Sequence, residues 1–254
     1  MRTAERAYYD DADQRYLFAR SMAPYVELAG SGTCRGARVL DAGCGAGAGS
    51  ALMSRAGASV EAVDFSYADV LLTRRTCGEV RVVTADVCRL PFADDSFDVV
   101  VSCHVLEHLA DPRRYLREMK RVLDPRGRLW LITPNRLFSS PDGPPKNPFH
   151  IKEYWFEELV ELVSDVFPAA EYLGVTHQAT GGVIQAEEAR NRWHSLDRFR
   201  IRRFAPSAVK RIFRRLTGAV YPAELSRVDA SEFRIQAMDP RSALDFVAIV
   251  LPEG

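Results

Sequence analysis

The residues Val39-Leu-Asp41-Ala-Gly43-Cys-Gly45-Ala-Gly47-Ala-Gly49 set one carboxylate directly ahead of four glycines. Glycines let a backbone turn tightly and approach a ligand closely. Taken alone, Gly43-x-Gly45-x-x-Ala48 meets the dinucleotide fingerprint, and Asp64 lies about where a ribose-binding acid should. A dinucleotide, however, brings a pyrophosphate that needs amides and no anion. Asp41, two residues before the first glycine, would oppose it. S-adenosylmethionine carries no phosphate; its methionyl ammonium and sulfonium are cations that an acidic strand end favours. Electrostatics therefore select the second ligand. Asp64 can accept both ribose hydroxyls as a bidentate pair. Asp86 can accept from the adenine amino group, with Val87 supplying the neighbouring amide. Any one acid at a strand end is explained as a helix N-cap. Three acids at intervals of 23 and 22 residues, each after an apolar strand, argue for a site.

A second set of residues could handle a proton. Ser102-Cys-His104-Val-Leu-Glu107-His108 follows an apolar strand, and His150 lies in Asn147-Pro-Phe-His150-Ile-Lys-Glu-Tyr154. Methyl transfer is an in-line displacement, in which the enzyme positions a nucleophile and removes its proton where that is needed. An alcohol calls for a base or a metal; for a neutral amine, positioning suffices. His104 and His150 are the candidate bases. The plainer alternatives are that Glu107 and His108 cap and orient the following helix, and that His150 is a loop histidine bonded to backbone.

The elements that must position these groups alternate. Arg38–Asp41, Ser59–Asp64, Val80–Asp86, Phe97–Ser102 and Arg128–Thr133 are expected as strands, with helices between them, one from Pro112 to Leu123. The fourth is nearly all apolar, the mark of a strand buried on both faces. This order means a parallel α/β sheet with helices on both sides. It gathers residues 42–49, 65–67, 87–91 and 103–108 at the carboxyl edge, where ligands of such sheets bind. A helix over Lys152–Val166, a sixth strand over Ala170–Gln178 and a final strand over Leu244–Leu251 complete the pattern. The first 33 residues read as helical, interrupted at Pro24, and Pro134–Pro148 reads as loop. The 60 or so residues between the last two strands are too many for a structureless connection and are expected to form a helical insert.

The chain of 254 residues has 34 basic and 34 acidic side chains, 47% apolar and 27% charged residues, which excludes a disordered or fibrous protein. No apolar run approaches the roughly 18 residues of a membrane span, and the start has no apolar signal region. Five cysteines without C-x-x-C spacing read as reduced core residues of a cytoplasmic protein. Neutrality hides an asymmetry. Arg190, Arg192, Arg198, Arg200, Arg202, Arg203, Lys210, Arg211, Arg214 and Arg215 share their stretch with one acid, Asp197. This basic segment suits an anionic acceptor or an anionic membrane surface, or is simply a solvated face packed on the acidic body. Its few aromatics and the lack of a recognised nucleic-acid module argue against nucleic acid. Trp155, Phe156 and Trp193 are candidates to line an acceptor pocket, though such residues are more often core.

VLDAGCGAG, VEAVDFS, TADVCRLPFADDSFDVVVSCHVLEHLADP and LREMKRVLDPRGRLWLITPN, in this order, resemble the class I S-adenosylmethionine-dependent methyltransferases (the type 11 group) over roughly residues 37–178. The resemblance implies a Rossmann-like seven-stranded sheet whose last strand runs antiparallel beside the sixth. It implies roles for Asp41 and Gly43 near the methionyl group, Asp64 at the ribose and Asp86 at the adenine, with Gly45, Phe65, Val87 and Cys103 as further cofactor contacts. His104, Glu107 and His108 resemble the Glu-x-x-Glu-His metal site of ubiquinone-pathway O-methyltransferases, with histidine in the first place; the expectation is no metal. NPFHIKEYWFEEL, and Arg15-Tyr16-Leu-Phe-Ala19 with Arg15 and Tyr16 as cofactor contacts, resemble methyltransferases of glycan and cell-envelope biosynthesis. The domain reading is a helical lid over 1–36, a cofactor domain over 37–180 and 243–254, and a basic cap over 181–242. The expected activity is methyl transfer to a hydroxyl of a small molecule or glycan. An N-methyltransferase, a nicotinamide dehydrogenase and a binding module without catalysis are the alternatives.

Overall fold

The computed structural model describes residues 11–177, 229–237, 239 and 242–252. The basic segment and Trp193 lie outside them. Helix α1 (Asp11–Gly30) precedes β1 (Arg38–Ala42), α2 (Ala48–Arg55), β2 (Ser59–Asp64), α3 (Tyr67–Thr76), β3 (Arg81–Thr84) and β4 (Phe97–Cys103). Next come α4 (Pro112–Val122), β5 (Leu123–Pro134), the short α5 (Arg136–Ser139), α6 (Phe156–Ser164), β6 (Ala170–His177), β7 (Phe233–Ala237) and β8 (Asp245–Val250).

Among the described residues eight strands form one sheet in the order β3-β2-β1-β4-β5-β8-β6-β7. The first five run parallel, and β8 runs antiparallel between β5 and β6, with Trp130 opposite Ile249 and Leu173 opposite Val247. This is the α/β Rossmann-like arrangement expected, with its antiparallel final strand beside the sixth. One strand exceeds the seven expected: β7, from the end of the 181–242 region, pairs antiparallel with β6 as an outer edge. Strand order reverses between β1 and β4, opening at the switch point the crevice where α/β sheets bind ligands.

Side-chain alternation along the strands feeds two cores. Val39, Val99 and Val101 face one side with Met53 and Leu28, whereas Leu40 and Val100 face the other with Leu116, Met119 and Leu159. Asp111 caps α4 by accepting the Arg114 amide at 3.0 Å, with Pro112 at the first helical position, where no amide is needed. Helix α1 departs from expectation by running unbroken through Pro24. A proline inside a helix costs about 3 kcal/mol. Burial of Ala19, Ala23, Tyr25 and Leu28 against the sheet outweighs it. Lys152–Trp155, expected as helix, is not helical, and α6 begins only at Phe156.

Candidate active site

At the glycine turn, Asp41 is fully buried at the end of β1. Tyr25 donates its hydroxyl to Asp41 Oδ1 at 2.9 Å and Ser50 donates to Oδ2 at 2.5 Å. Burial is the largest influence on this carboxyl and lifts its pKa to about 6, against the two hydroxyls that pull it down. No cation touches it among the described residues, so it is a buried acid whose charge a cationic ligand would favour. Gly43 and Gly49 are two of the places where the turn admits only glycine. Gly43 has φ of 91°, and a Cβ there would stand 2.2 Å from Val105 Cγ2. At Gly49 a Cβ would stand 2.4 Å from the Tyr25 ring, so the glycine admits the tyrosine that reaches Asp41.

Asp64 ends β2 and bonds to its own neighbourhood first. Its Oδ2 accepts the Gly45 amide and its Oδ1 the Ser66 amide, both at 2.8 Å. Each oxygen keeps a second lone pair for a ribose hydroxyl. Beside it Phe65 is 75% exposed, an apolar ring turned largely to solvent. Asp86 lies two residues past β3, exposed, and its Oδ1 accepts the Cys88 amide at 2.8 Å; the adjacent Val87 is buried. Cys103 ends β4, with Sγ 3.5 Å from the Ser21 carbonyl of α1. Burial, then the charges of Asp245 and Glu107, raise its pKa, so it stays a neutral thiol.

The next residue, His104, has a left-handed backbone (φ 57°) and an amide bonded to the Ile132 carbonyl at 2.9 Å. Its imidazole sits between two fully buried carboxylates. Nδ1 is 3.6 Å from Glu107 Oε1 and Nε2 is 3.6 Å from Asp245 Oδ1. Buried Arg20 of α1 pairs bidentately with Asp245, Nε reaching Oδ2 at 2.6 Å, and also donates to the Leu244 carbonyl at 2.5 Å. Burial alone would raise the Asp245 pKa; Arg20 and then His104 overcome it and hold the group below the ordinary value, hence ionised.

His150 reaches the same edge from the loop after α5. Its Nδ1 lies 2.5 Å from Glu153 Oε1 and its Nε2 2.8 Å from Asn147 Nδ2. Glu153 also accepts the Ser139 hydroxyl at 2.7 Å. Burial opposes the charge on Glu153, but the bond from His150 leads the forces that keep its pKa low. The His108 ring packs edge-on against His150, centroids 4.9 Å apart.

Residues 40–131 match the family model described as a methyltransferase domain. Over 98% of its length the chain is 34% identical to a probable S-adenosylmethionine-dependent methyltransferase of Mycobacterium tuberculosis, covering 88% of that relative. The chain belongs to the S-adenosylmethionine-dependent methyltransferases. A ubiquinone biosynthesis O-methyltransferase of Xanthomonas oryzae is 35% identical over 52% of this chain and 58% of its own. A solved structure described as a possible histamine N-methyltransferase of Thermotoga maritima shares the fold, with TM-score 0.60 and 15% identity over 98% of this chain and 99% of that one.

The methyltransferase takes S-adenosylmethionine as its methyl donor. Its structure gathers Asp41, Gly43, Gly45 and Asp64 at one turn, as the spacing expected. Arg15 is exposed on α1, while Tyr16 is buried against Phe233 of β7, their rings 5.9 Å apart. Phe156 packs on Tyr172 and Phe246 as core rather than as a pocket wall. Sequence reasoning missed Tyr25, Ser50, Arg20, Asp245 and Glu153. Ser50, nine residues past Asp41 on the next helix, and Glu153, three residues past His150, were near enough to suspect. No helix among the described residues is long and apolar enough to cross a membrane.

Proposed function

We propose that this methyltransferase methylates a hydroxyl of a small molecule or glycan, with His104 as general base. The observation that carries the reading is the imidazole held between Glu107 and the Arg20-paired Asp245 at the end of β4. Its Nε2 is buried and faces Asp245. A buried carboxylate behind one ring nitrogen orients the ring and leaves the other nitrogen to take a proton. The relative named as an O-methyltransferase supports a hydroxyl acceptor.

When bound, S-adenosylmethionine supplies an electrophilic methyl on its sulfonium. Asp41, aligned by Tyr25 and Ser50, holds the methionyl ammonium. Asp64 accepts the ribose hydroxyls, Phe65 covers the adenine, and Asp86 with the Val87 amide reads its edge. His104 Nδ1 takes the acceptor's proton as the O–CH3 bond forms and the S–CH3 bond breaks. With the bond electrons kept by the departing sulfur, S-adenosylhomocysteine would be the released product.

Replacing His104 with Asn is expected to cut turnover roughly 100-fold or more, with cofactor affinity by calorimetry unchanged. Undiminished turnover on an acceptor identified with labelled cofactor in a cell extract would retire the base. Such a result, on an amine product, would establish N-methylation by positioning alone.

A further inference from the structure

Glu107, His108 and His150 each offer one donor atom, and these atoms lie within 4.8 Å of one another. Two chain segments are fastened together to achieve this. The amides of Ile151 and Lys152 both donate to the Glu107 carbonyl, at 2.8 and 3.2 Å, so the loop carrying His150 is tied to the turn carrying Glu107 and His108. Each side chain is also held from behind. His108 Nδ1 meets the Phe149 carbonyl at 2.8 Å, and His150 Nδ1 meets Glu153 at 2.5 Å. Both acceptors place the ring proton on Nδ1 and the lone pair on Nε2. Thr133 donates to Glu107 Oε2 at 3.1 Å, while Oε1, fully buried, has no hydrogen bond among the described residues.

A carboxylate or carbonyl behind each imidazole is the arrangement that orients histidines bound to metal. We infer that Glu107, His108 and His150 bind one borderline divalent cation, such as Zn2+ or Co2+. Two imidazoles and one carboxylate suit these ions better than Mg2+. This set differs from the one that sequence resemblance suggested. His104 occupies the first place of that pattern and lies 3.6 Å from both Glu107 and Asp245, yet it is His150 that joins Glu107 and His108 in the cluster. Donors around a tetrahedral ion lie about 3.4 Å apart, so the side chains close inward by ~1 Å. Asn147 Nδ2, which now donates to His150 Nε2, is the group the ion displaces.

Glu107 Oε1 lies 3.6 Å from His104 Nδ1. An acceptor oxygen on the ion would therefore stand beside the base with its acidity raised. That role rests on the hydroxyl reading above; the site itself does not.

Cobalt binding tests it without any acceptor. Metal-stripped full-length protein is titrated with Co2+, following visible absorption and stoichiometry, and cofactor affinity in each variant monitors folding. Wild type is expected to take up one equivalent. H150N, H108N and E107Q are expected to weaken binding at least tenfold, and E153Q roughly 10- to 100-fold, while H104N leaves it unchanged. Absence of cobalt uptake by wild type overturns the site. So does wild-type affinity in H150N, or a loss in H104N equal to that in H150N. Cobalt binding with no methylated hydroxyl would leave the site standing and remove the acceptor reading instead.

Discussion

The proposed cofactor half and the proposed acceptor half of this crevice are built on different plans. The first uses backbone: the amides of Gly45 and Ser66 fix Asp64, and Gly43 fits only because it lacks a Cβ. Most of its parts lie between residues 41 and 66. The second uses side chains from four distant segments: Arg20, the 104–108 turn, the 147–153 loop and Asp245. A backbone site is fixed as soon as its strand and helix form. A side-chain site of buried charges exists only once the whole sheet has closed, and each charge then depends on its partner.

The largest expected effect probes the second plan. Arg20→Met would leave Asp245 buried without its cation and should cost about 3–5 kcal/mol of stability, read from urea unfolding. Arg20→Met with Asp245→Leu should recover most of it. A loss under about 1 kcal/mol for the single variant would erase the contrast.

Asp41 sharpens the comparison because its two effects have opposite signs. Its pKa rises from 3.8 to about 6 on folding. The folded state therefore holds the proton more tightly. Stability from this group is complete below about pH 4 and lost as pH rises through about 6. At pH 7 the buried charge costs on the order of 3 kcal/mol, and Asp41→Asn should return much of that while weakening cofactor binding at least tenfold. In wild type, cofactor affinity should fall as pH drops through about 6, and the variant should flatten that profile in calorimetry. A variant that is both less stable and pH-dependent would remove Asp41 from the ammonium site.

Asp64→Ala should weaken cofactor binding by about tenfold or more through two lost charge-assisted bonds. It should also loosen the turn, because Gly45 and Ser66 lose their acceptor. Unchanged affinity would take Asp64 off the ribose. The smallest effect belongs to Phe65→Ala: a weakening of roughly threefold to tenfold, with the urea midpoint unmoved because the ring touches solvent. A shifted midpoint would make it a core residue.

Much of this contrast could be read beforehand. The Asp41 and Asp64 positions followed from apolar strands ending in acids, because both ends of each interaction lie close in the chain. Pro24 misled, since local propensity said break while burial of α1 said continue. Tyr25, just beyond that proline, was hidden with it. The 104–108 turn was recognised as chemistry, but its partners were not. Asp245 is 225 residues from Arg20, and neither looks unusual in its own surroundings.

Alternating apolar runs, glycines and acids determined by themselves the parallel sheet and the acidic glycine turn, while the family resemblance supplied the antiparallel last strand. The sheet and the turn depend on backbone periodicity and on charges a few residues apart. Tertiary structure alone decided that β7 joins the sheet, that Asp245 stands behind His104 and that His150 completes a cluster with Glu107 and His108. Those facts depend on which side chains share a dry interior, where an unpaired charge is costly and the fold selects its partner.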